Sequence, residues 1–210
     1  MIRILIADDH DVVRSGLRQL LEVHPNWDVV AEASNGREAV AKAVETKPDI
    51  AVVDYSLPML NGLEVTRRIR ARLPKTEVLI FTMHDNEMIV EEALKAGARG
   101  YLLKADAQQC LIEAILSLAI HRPFFTPTIS EDRWAAYTAK PTRAMSSITS
   151  RERTIVQLIA EGCSNKAVAN TLNISVKTVE THRAAIMRKL NPSSSAALVR
   201  YAIRNNIAVA

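Results

Sequence analysis

The stretch IRILIADD at residues 2–9 decides the fold, because a run that is apolar except for Arg3 ends at two adjacent carboxylates. Three further apolar runs, at 51–53, 78–81 and 101–103, each end directly before a polar residue; these residues are Asp54, Thr82 and Lys104. Continuous apolar runs separated by helical periodicity predict the buried strands of a parallel sheet. Because the carboxyl ends of such strands meet at one edge of the sheet, we expect these polar residues to lie together.

The residue types at this edge indicate phosphoryl chemistry. Asp8, Asp9 and Asp54 repel one another when they are crowded, and a hard divalent cation with oxygen ligands is the simplest way to neutralise them. We therefore expect Mg²⁺. A lysine and a hydroxyl group, from Lys104 and Thr82, are suited to stabilising phosphoryl oxygens during in-line transfer to a carboxylate. The set predicts Asp54 as a phosphate acceptor.

The first half of the chain resembles the receiver domain of two-component response regulators. The motifs that carry this resemblance are Ala-Asp-Asp-His at 7–10, Leu-Pro at 57–58, Asn-Gly at 61–62, Phe-Thr-Met at 81–83 and Gly-Tyr-Leu-Leu-Lys at 100–104. The resemblance implies phosphorylation at Asp54 and metal ligands from Asp8, Asp9, Asp54 and the backbone carbonyl of Ser56. It also implies that Lys104 and Thr82 bind the phosphoryl group. When Thr82 moves, Tyr101 would swing from an outward to an inward rotamer.

Length and punctuation predict two domains. The 210 residues include 48% hydrophobic ones, which suits chains that build real cores. We predict a receiver domain at 1–121, a linker at 122–147 and a helical domain at 148–210, with a short helix near Trp134 and Tyr137 in the linker. No apolar stretch approaches the ~20 residues of a membrane span, and no leader precedes the first strand. We expect a cytoplasmic protein without a membrane partner.

The two halves carry opposite charge. Residues 1–121 contain 14 Lys or Arg against 18 Asp or Glu, a net charge of −4, whereas residues 142–210 contain ten against three, a net charge of +7. A basic domain favours a polyanion partner, and an acidic one favours metal or phosphate chemistry. The opposite charges and the tether suggest that the unphosphorylated receiver covers part of the basic domain.

Periodicity places five helices in the first domain, near 12–23, 36–46, 63–72, 86–96 and 107–120, with strands between them. This pattern predicts an α/β fold with a five-stranded, doubly wound parallel sheet of the flavodoxin type. The second domain reads as all-α, with helices near 150–161, 164–171, 175–190 and 195–205. Thr149, Ser164 and Ser175 are predicted N-caps, Thr149 forms a capping box with Glu152, and Gly162 ends the first of these helices.

The second domain resembles the LuxR-type helix-turn-helix. The motifs are Ser-Arg-Glu-Arg at 150–153, Ala-Glu-Gly-Cys-Ser-Asn-Lys at 160–166, Ile-Ser-Val-Lys-Thr-Val-Glu-Thr-His at 174–182 and Ile-Met-Arg-Lys-Leu at 186–190. A receiver followed by this domain is the arrangement of the NarL/FixJ family, whose members regulate transcription. The resemblance implies that helix 175–190 reads double-stranded DNA, with Glu180, Thr181 and Ala184 facing bases. The residues placed nearer to phosphates are Lys177, Thr178, Arg183, Arg188 and Lys189.

Within the same helix, the apolar stripe of Val179, Ile186 and Leu190 is predicted to face the core. His10 and His182 have no second ligand at a suitable spacing. We therefore expect them to cap a helix, contact phosphate or pack, and not to bind metal.

These features together predict a response regulator and not an enzyme. A histidine kinase or a small acyl phosphate would phosphorylate Asp54, and a homodimer would then bind inverted repeats whose half-sites lie about 34 to 36 Å apart. At most, slow autophosphatase activity is expected, because Met83 shades the acyl phosphate from water. One alternative is an orphan regulator that binds DNA without phosphorylation. A magnesium-dependent phosphatase is disfavoured, because Ser56 replaces a second aspartate and no Gly-Lys-Ser or Gly-Lys-Thr loop is present.

Overall fold

A computed structural model describes residues 1–126, 148–192, 194–205 and 207–208. The chain divides into two compact units, Met1–Thr142 and Arg143–Ala210, and each is described by itself. The short helix predicted near Trp134 and Tyr137 lies outside the described residues, as does the predicted linker from residue 127 onward. No helix in the described part of the chain is both long and apolar enough to cross a membrane.

The first unit contains a parallel sheet with the strand order β2-β1-β3-β4-β5-β6. The strands are β1 (Ile2–Ala7), β2 (Trp27–Ala33), β3 (Ile50–Asp54), β4 (Glu77–Thr82), β5 (Gly100–Leu103) and β6 (Phe124–Phe125). The doubly wound parallel sheet is confirmed, but it has six strands instead of five. Strand β6 falls in the segment predicted as linker, since two apolar residues are too short to show periodicity. It pairs Phe124 with Gly100 and Phe125 with Tyr101.

Five α-helices connect these strands: α1 (Asp11–Glu22), α2 (Gly36–Thr46), α3 (Gly62–Arg72), α4 (Glu87–Ala96) and α5 (Ala107–Ala119). Their bounds lie within one residue of the predicted ones at each end. Leu21 from α1 and Leu111 and Ile115 from α5 are buried with Ile4 and Val52 of the sheet in one core cluster. The burial of residues 4–7 in β1 and of residues 50–53 in β3 explains why these stretches are continuously apolar.

The second unit contains four described helices: α6 (Ser150–Ala160), α7 (Asn165–Leu172), α8 (Val176–Leu190) and α9 (Ser195–Arg204). The predicted caps are confirmed, because Thr149 forms a capping box with Glu152 and because Ser164 and Ser175 accept hydrogen bonds from the backbone of α7 and α8. Gly162 has φ +82°, the left-handed conformation that ends a helix at low cost.

The apolar stripe of α8 is buried over most of its length. Val179 and Ile186 are fully buried in the second unit, as the sequence predicts. Leu190 belongs to the same predicted core stripe, but it is only partly buried and lines an open cavity together with residues of α9, including Tyr201. The stripe is therefore less buried at the carboxyl end of α8 than at Val179 and Ile186.

Candidate functional site

The carboxyl edge of the sheet brings Asp8, Asp54 and Lys104 into direct contact. Lys104 lies in a 3-10 turn, Lys104–Asp106, that directly follows β5. Its Nζ is 2.6 Å from Asp8 Oδ2 and 3.1 Å from Asp54 Oδ2. Asp8 is fully buried and Asp54 is 3% exposed. Side chains that are more than 45 residues apart in sequence therefore form one buried cluster of two carboxylates and one ammonium group, as the positions of the strand ends predict.

Asp9 is the third carboxylate of this cluster, and His10 lies next to it. One ligand atom from each of Asp8, Asp9, His10 and Asp54 lies within 4.8 Å of the others. Asp9 Oδ1 is buried and accepts no hydrogen bond from the described residues, although His10 Nδ1 is 2.9 Å away. Buried carboxylate oxygens that lack donors are suited to a divalent cation. The residues present therefore fit the expected Mg²⁺, with Asp8, Asp9 and Asp54 as oxygen ligands.

Burial and the neighbouring charges set the protonation of this cluster. Burial raises the pKa of Asp54 to about 6; the Lys104 charge opposes the increase and the Asp8 charge adds to it. Burial by itself lowers the pKa of Lys104, but the Asp54 and Asp8 carboxylates outweigh it and raise the pKa above its ordinary value. Ser56 lies beside the acceptor, since its backbone N–H donates a hydrogen bond to the Asp54 carboxylate.

Thr82 and Tyr101 meet at the backbone of His84. Thr82 is fully buried, and its Oγ1 accepts a hydrogen bond of 3.1 Å from the His84 N–H. The Tyr101 hydroxyl donates a 2.6 Å hydrogen bond to the His84 carbonyl, and the Tyr101 ring is 1% exposed, so the structure contains its inward position. One residue of the loop after β4 therefore contacts both predicted switch residues.

Two histidines, His84 and His10, lie at the site although the sequence does not assign them to it. His84 Nε2 lies 3.3 Å from Ser56 Oγ, and burial together with the Lys104 charge lowers the His84 pKa. His10 is the N-cap residue of α1, but its side chain makes no capping hydrogen bond. It turns instead toward Asp8 and Asp9. For neither histidine does the sequence spacing reveal the direction of the side chain, because that direction depends on the loops that follow β1 and β4.

The predicted base-facing residues of α8 lie on its surface. Glu180, Thr181 and Ala184 are exposed. Thr181 Oγ1 donates a 3.0 Å hydrogen bond to the Lys177 carbonyl, which leaves the hydroxyl oxygen able to accept one from a partner. None of these side chains is a cation, so direct arginine–guanine pairing is not available from this set.

The predicted phosphate-facing residues of α8 divide into two groups. Lys177, Thr178 and Arg188 are exposed, and among the described residues no hydrogen bond or ion pair engages the charged groups of Lys177 and Arg188. Arg183 donates a 2.6 Å hydrogen bond from one of its terminal nitrogens to Asn165 Oδ1 on α7. Lys189 Nζ lies 2.8 and 2.7 Å from the two carboxylate oxygens of Glu152. Arg183 and Lys189 therefore hold helices of the second unit together.

Comparison with known proteins matches both units. Residues 4–116 match the model of the response regulator receiver domain, and residues 146–202 match that of bacterial regulatory proteins of the luxR family. The oxygen regulatory protein NreC of Staphylococcus epidermidis is 36% identical over 98% of this chain and 99% of its own length.

Two solved structures extend this similarity. A LuxR-family two-component response regulator from Aurantimonas sp. SI85-9A1 is 38% identical, with a TM-score of 0.61, and the match covers 66% of this chain and 99% of that one. The response regulator RcsB in a complex with DNA is 26% identical, with a TM-score of 0.58, over 95% of this chain and 96% of that one.

The parallel sheet with a carboxylate cluster at its carboxyl edge and the helix-turn-helix unit define a two-domain regulator. The chain belongs to the response regulator family, and its second domain is a LuxR-type DNA-binding domain. It is therefore a DNA-binding transcription factor of a two-component system and not a classical enzyme.

Proposed function

We propose that Asp54 accepts a phosphoryl group from a histidine kinase or a small acyl phosphate, and that this modification controls dimerisation and binding to double-stranded DNA. The observation that supports the proposal best is the contact of Lys104 Nζ with both Asp8 and Asp54 at a buried sheet edge. A buried ammonium group in contact with two carboxylates at the end of a strand is suited to phosphoryl chemistry. A sheet edge with a purely structural role does not require buried charges.

The chemistry follows from the position of each group. An Asp54 carboxylate oxygen attacks the phosphorus in line, a P–O bond forms, and the P–N bond of the phosphohistidine breaks with release of imidazole. With a pKa of about 6, Asp54 is mostly ionised at neutral pH and can act as the nucleophile. Lys104 lies where it neutralises charge on the transferred group. When bound by Asp8, Asp9, Asp54 and the Ser56 carbonyl, Mg²⁺ supplies further charge neutralisation and alignment.

The conformational response would begin at Thr82. Its hydroxyl oxygen accepts a hydrogen bond from the His84 amide, and its O–H can donate one to a phosphoryl oxygen on Asp54, which is a charged acceptor. Since the His84 carbonyl accepts the hydrogen bond from Tyr101, a movement of this loop changes the anchor of both switch residues. In the structure Tyr101 is inward while the His84 amide contacts Thr82, so the outward position of Tyr101 would belong to a second arrangement of this loop. The two positions form a two-state element that phosphorylation biases.

The output would be a homodimer on an inverted-repeat operator. Helix α8 presents Glu180, Thr181 and Ala184 toward base edges, and Lys177, Thr178 and Arg188 toward phosphates. The similarity to RcsB in complex with DNA supports this placement. A regulator that meets both a kinase domain and chromosomal DNA acts in the cytoplasm. The boundaries that we propose, with a receiver at 1–121 and a DNA-binding domain at 148–210, separate the two activities.

The proposal is tested by measuring phosphoryl incorporation and operator binding on the full chain. With acetyl phosphate and Mg²⁺, we expect the native chain to take up one phosphoryl group, to dimerise and to bind DNA more tightly. If acetyl phosphate leaves DNA binding by the native chain unchanged and Asp54→Asn binds DNA as the native chain does, the orphan alternative is correct instead. If the fragment 142–210 binds no better than the unphosphorylated full chain, the receiver does not cover the basic domain.

A further inference from the structure

We infer that Thr126 is a positioning residue for phosphoryl binding, because its side chain fixes the end of strand β5 from which Lys104 reaches Asp54. The inference rests on the proposed function and adds to it a residue of the predicted linker. It is carried by two hydrogen bonds that Thr126 makes to the backbone of β5, one on either side of Leu102.

Strand β5 needs a partner on its outer side. It has only four residues, Gly100–Leu103, and Lys104 follows it directly. Without β6 it would be the edge strand of the sheet, and the backbone groups on its outer side would lack partners. Strand β6 covers this edge, where the Phe124 N–H donates a 3.0 Å hydrogen bond to the Arg99 carbonyl and the Phe124 ring is buried. The strand that carries Lys104 is therefore held from outside by residues of the predicted linker.

Thr126 extends this pairing by one step beyond β6. Its N–H donates a 3.0 Å hydrogen bond to the Tyr101 carbonyl, and its Oγ1 accepts one of 3.0 Å from the Leu103 N–H. A parallel ladder that continued through main-chain atoms would give the Leu103 N–H a carbonyl acceptor. Here a hydroxyl group takes the place of that carbonyl. The last amide of β5 before Lys104 is therefore held by a side chain, which a substitution can remove without breaking the rest of the ladder.

Burial makes this hydroxyl group difficult to replace. Thr126 is fully buried, so bulk water does not take over the hydrogen bond of the Leu103 N–H when the hydroxyl group is removed. A buried N–H without an acceptor is unfavourable, which favours a shift of the backbone toward another acceptor. A shift at Leu103 moves Lys104, whose side chain is 11% exposed and whose Nζ lies 3.1 Å from Asp54 Oδ2.

The role of Lys104 decides which ligand would respond to this shift. In the proposed function, the Lys104 ammonium group binds the phosphoryl group, whereas the carboxylates of Asp8, Asp9 and Asp54 bind Mg²⁺. Displacement of Lys104 should therefore weaken the binding of a phosphoryl analogue and leave the cation in place. It also removes a competing positive charge from the carboxylates, which favours Mg²⁺. A threonine that only stabilises the sheet produces no such difference between the two ligands.

The test compares Thr126→Val, which removes the hydroxyl group at nearly constant volume, with Thr126→Ser, which keeps it, both in the full chain. Thr76→Val is the matched control, because Thr76 is also buried and its Oγ1 donates a 2.7 Å hydrogen bond to the Pro48 carbonyl. Thr76 lies directly before β4, at the opposite edge of the sheet. Calorimetry measures the dissociation constant of Mg²⁺ and, at saturating Mg²⁺, that of beryllofluoride as the phosphoryl analogue.

We expect Thr126→Val to weaken beryllofluoride binding at least fivefold and to slow phosphoryl incorporation from acetyl phosphate by a similar factor. The reason is that a displacement of about 1 Å can lower the rate of a reaction on the order of 100-fold. The affinity of Thr126→Val for Mg²⁺ should not fall. Thr126→Ser and Thr76→Val should bind both ligands as the native chain does.

A second measurement uses the native chain and needs no substitution. By reciprocity, a phosphoryl analogue that depends on the hydrogen bond between Leu103 and Thr126 must also stabilise that bond. Beryllofluoride should therefore slow hydrogen exchange of the Leu103 amide more than it slows exchange of the Thr76 amide. This comparison remains decisive if Thr126→Val does not fold.

The inference is overturned if Thr126→Val binds beryllofluoride as the native chain does, or if it loses affinity for Mg²⁺ and beryllofluoride equally. Equal slowing of exchange at Leu103 and Thr76 in the native chain also overturns it. Failure of the native chain itself to bind beryllofluoride with Mg²⁺ would instead contradict the proposed function. Normal binding by the native chain without an effect of Thr126 removes only the role of Thr126.

Discussion

The carboxyl edge of the sheet and the exposed face of helix α8 are both sets of polar side chains, but the two regions hold their charges differently. At the sheet edge, Asp8 and Asp54 are buried against Lys104. On α8, Lys177 and Arg188 extend from the surface, while Lys189 is held by Glu152. The edge thus pairs its charges within the fold, whereas the charged groups of Lys177 and Arg188 meet no partner among the described residues.

This difference separates two kinds of functional residue. Buried charges require the fold to hold them, so their loss should change both chemistry and stability. Exposed charges contribute little to stability, and their loss should appear in binding and in its salt dependence. Lys189 belongs to neither group alone, because it lies on the DNA-reading helix but contacts the Glu152 side chain, which is only 5% exposed.

The largest expected effect is at Asp54. We predict that Asp54→Asn abolishes phosphoryl incorporation from acetyl phosphate with Mg²⁺, because an amide is not a nucleophile for phosphorus. The measurement is mass spectrometry of the intact chain after incubation. Asp28→Asn, a substitution of an exposed aspartate on β2, is the matched control and should incorporate normally. Residual labelling of the Asp54→Asn chain at another aspartate would show that the sheet edge is not the only acceptor.

The second prediction concerns stability and pH without divalent cations. The folded Asp54 has a pKa of about 6, above its ordinary value of 3.8, so the native state binds more protons than the unfolded state between these values. The free energy of unfolding therefore falls as pH rises from 4 through 6 and stays low above it. Asp54→Asn should remove this loss and stabilise the protein at pH 8 by up to about 3 kcal/mol, with little effect near pH 4.

Urea unfolding at a series of pH values, with Asp28→Asn as the control, checks this prediction. Addition of Mg²⁺ should reduce the advantage of Asp54→Asn at pH 8, because the bound cation stabilises the ionised carboxylate of the native chain. An advantage of Asp54→Asn that does not depend on pH would show that packing, and not ionisation, is the cause.

The third prediction uses the adjacent pair Arg188 and Lys189. Lys189→Gln leaves Glu152 buried without its cation and should lower the free energy of unfolding by ~1–2 kcal/mol, a value reduced because Lys189 is 35% exposed. Arg188→Gln should change stability by less than about 0.5 kcal/mol. It should make the salt dependence of DNA binding shallower by about 0.9 for each bound protomer, which corresponds to one phosphate contact per protomer.

The pair is compared by urea unfolding and by operator titration at several salt concentrations. The sequence predicts that both residues lie near phosphates. The contacts of Lys189 with Glu152 now favour a structural role for it. If both variants made the salt dependence of DNA binding shallower by the same amount, the structural role would be wrong and Lys189 would contact a DNA phosphate.

The smallest expected effect is at Met83, which is 71% exposed directly after Thr82. If its side chain shades the acyl phosphate from water, Met83→Ala should speed loss of the phosphoryl group about threefold, or ~0.6 kcal/mol in the barrier. Met88→Ala on α4 is the control, since Met88 is also an exposed methionine of this unit. The rate of phosphate release gives the lifetime of each phosphorylated chain. An equal lifetime for Met83→Ala and the native chain would show that Met83 does not shade the acyl phosphate.

The sheet edge could be predicted from the sequence because strand ends fix position. Apolar runs gave the strands, and the residues after them had to meet at one edge, as Asp8, Asp54 and Lys104 do. The helix caps were equally predictable, since Thr149 and Glu152 lie three residues apart. In both cases the position of a residue in the sequence determines its position in the fold.

Other contacts follow no such rule. Strand β6 has two residues, too few for a period. The pairing of Lys189 with Glu152 joins residues that are 37 positions apart on two helices, so only the packing of α6 against α8 reveals it. His10 directly follows Asp9, but its turn toward the carboxylates depends on the backbone of one loop residue.

Operator titration of the full chain tests the central claim most directly, with and without beryllofluoride in Mg²⁺, at several salt concentrations. The account predicts that beryllofluoride tightens binding of the native chain at least tenfold, within the usual range of coupling energies. It also predicts a steeper salt dependence, as a dimer contacts more phosphates, and no response from Asp54→Asn. A native chain whose affinity and salt dependence are unaffected by beryllofluoride, or an Asp54→Asn chain that responds equally, would contradict it.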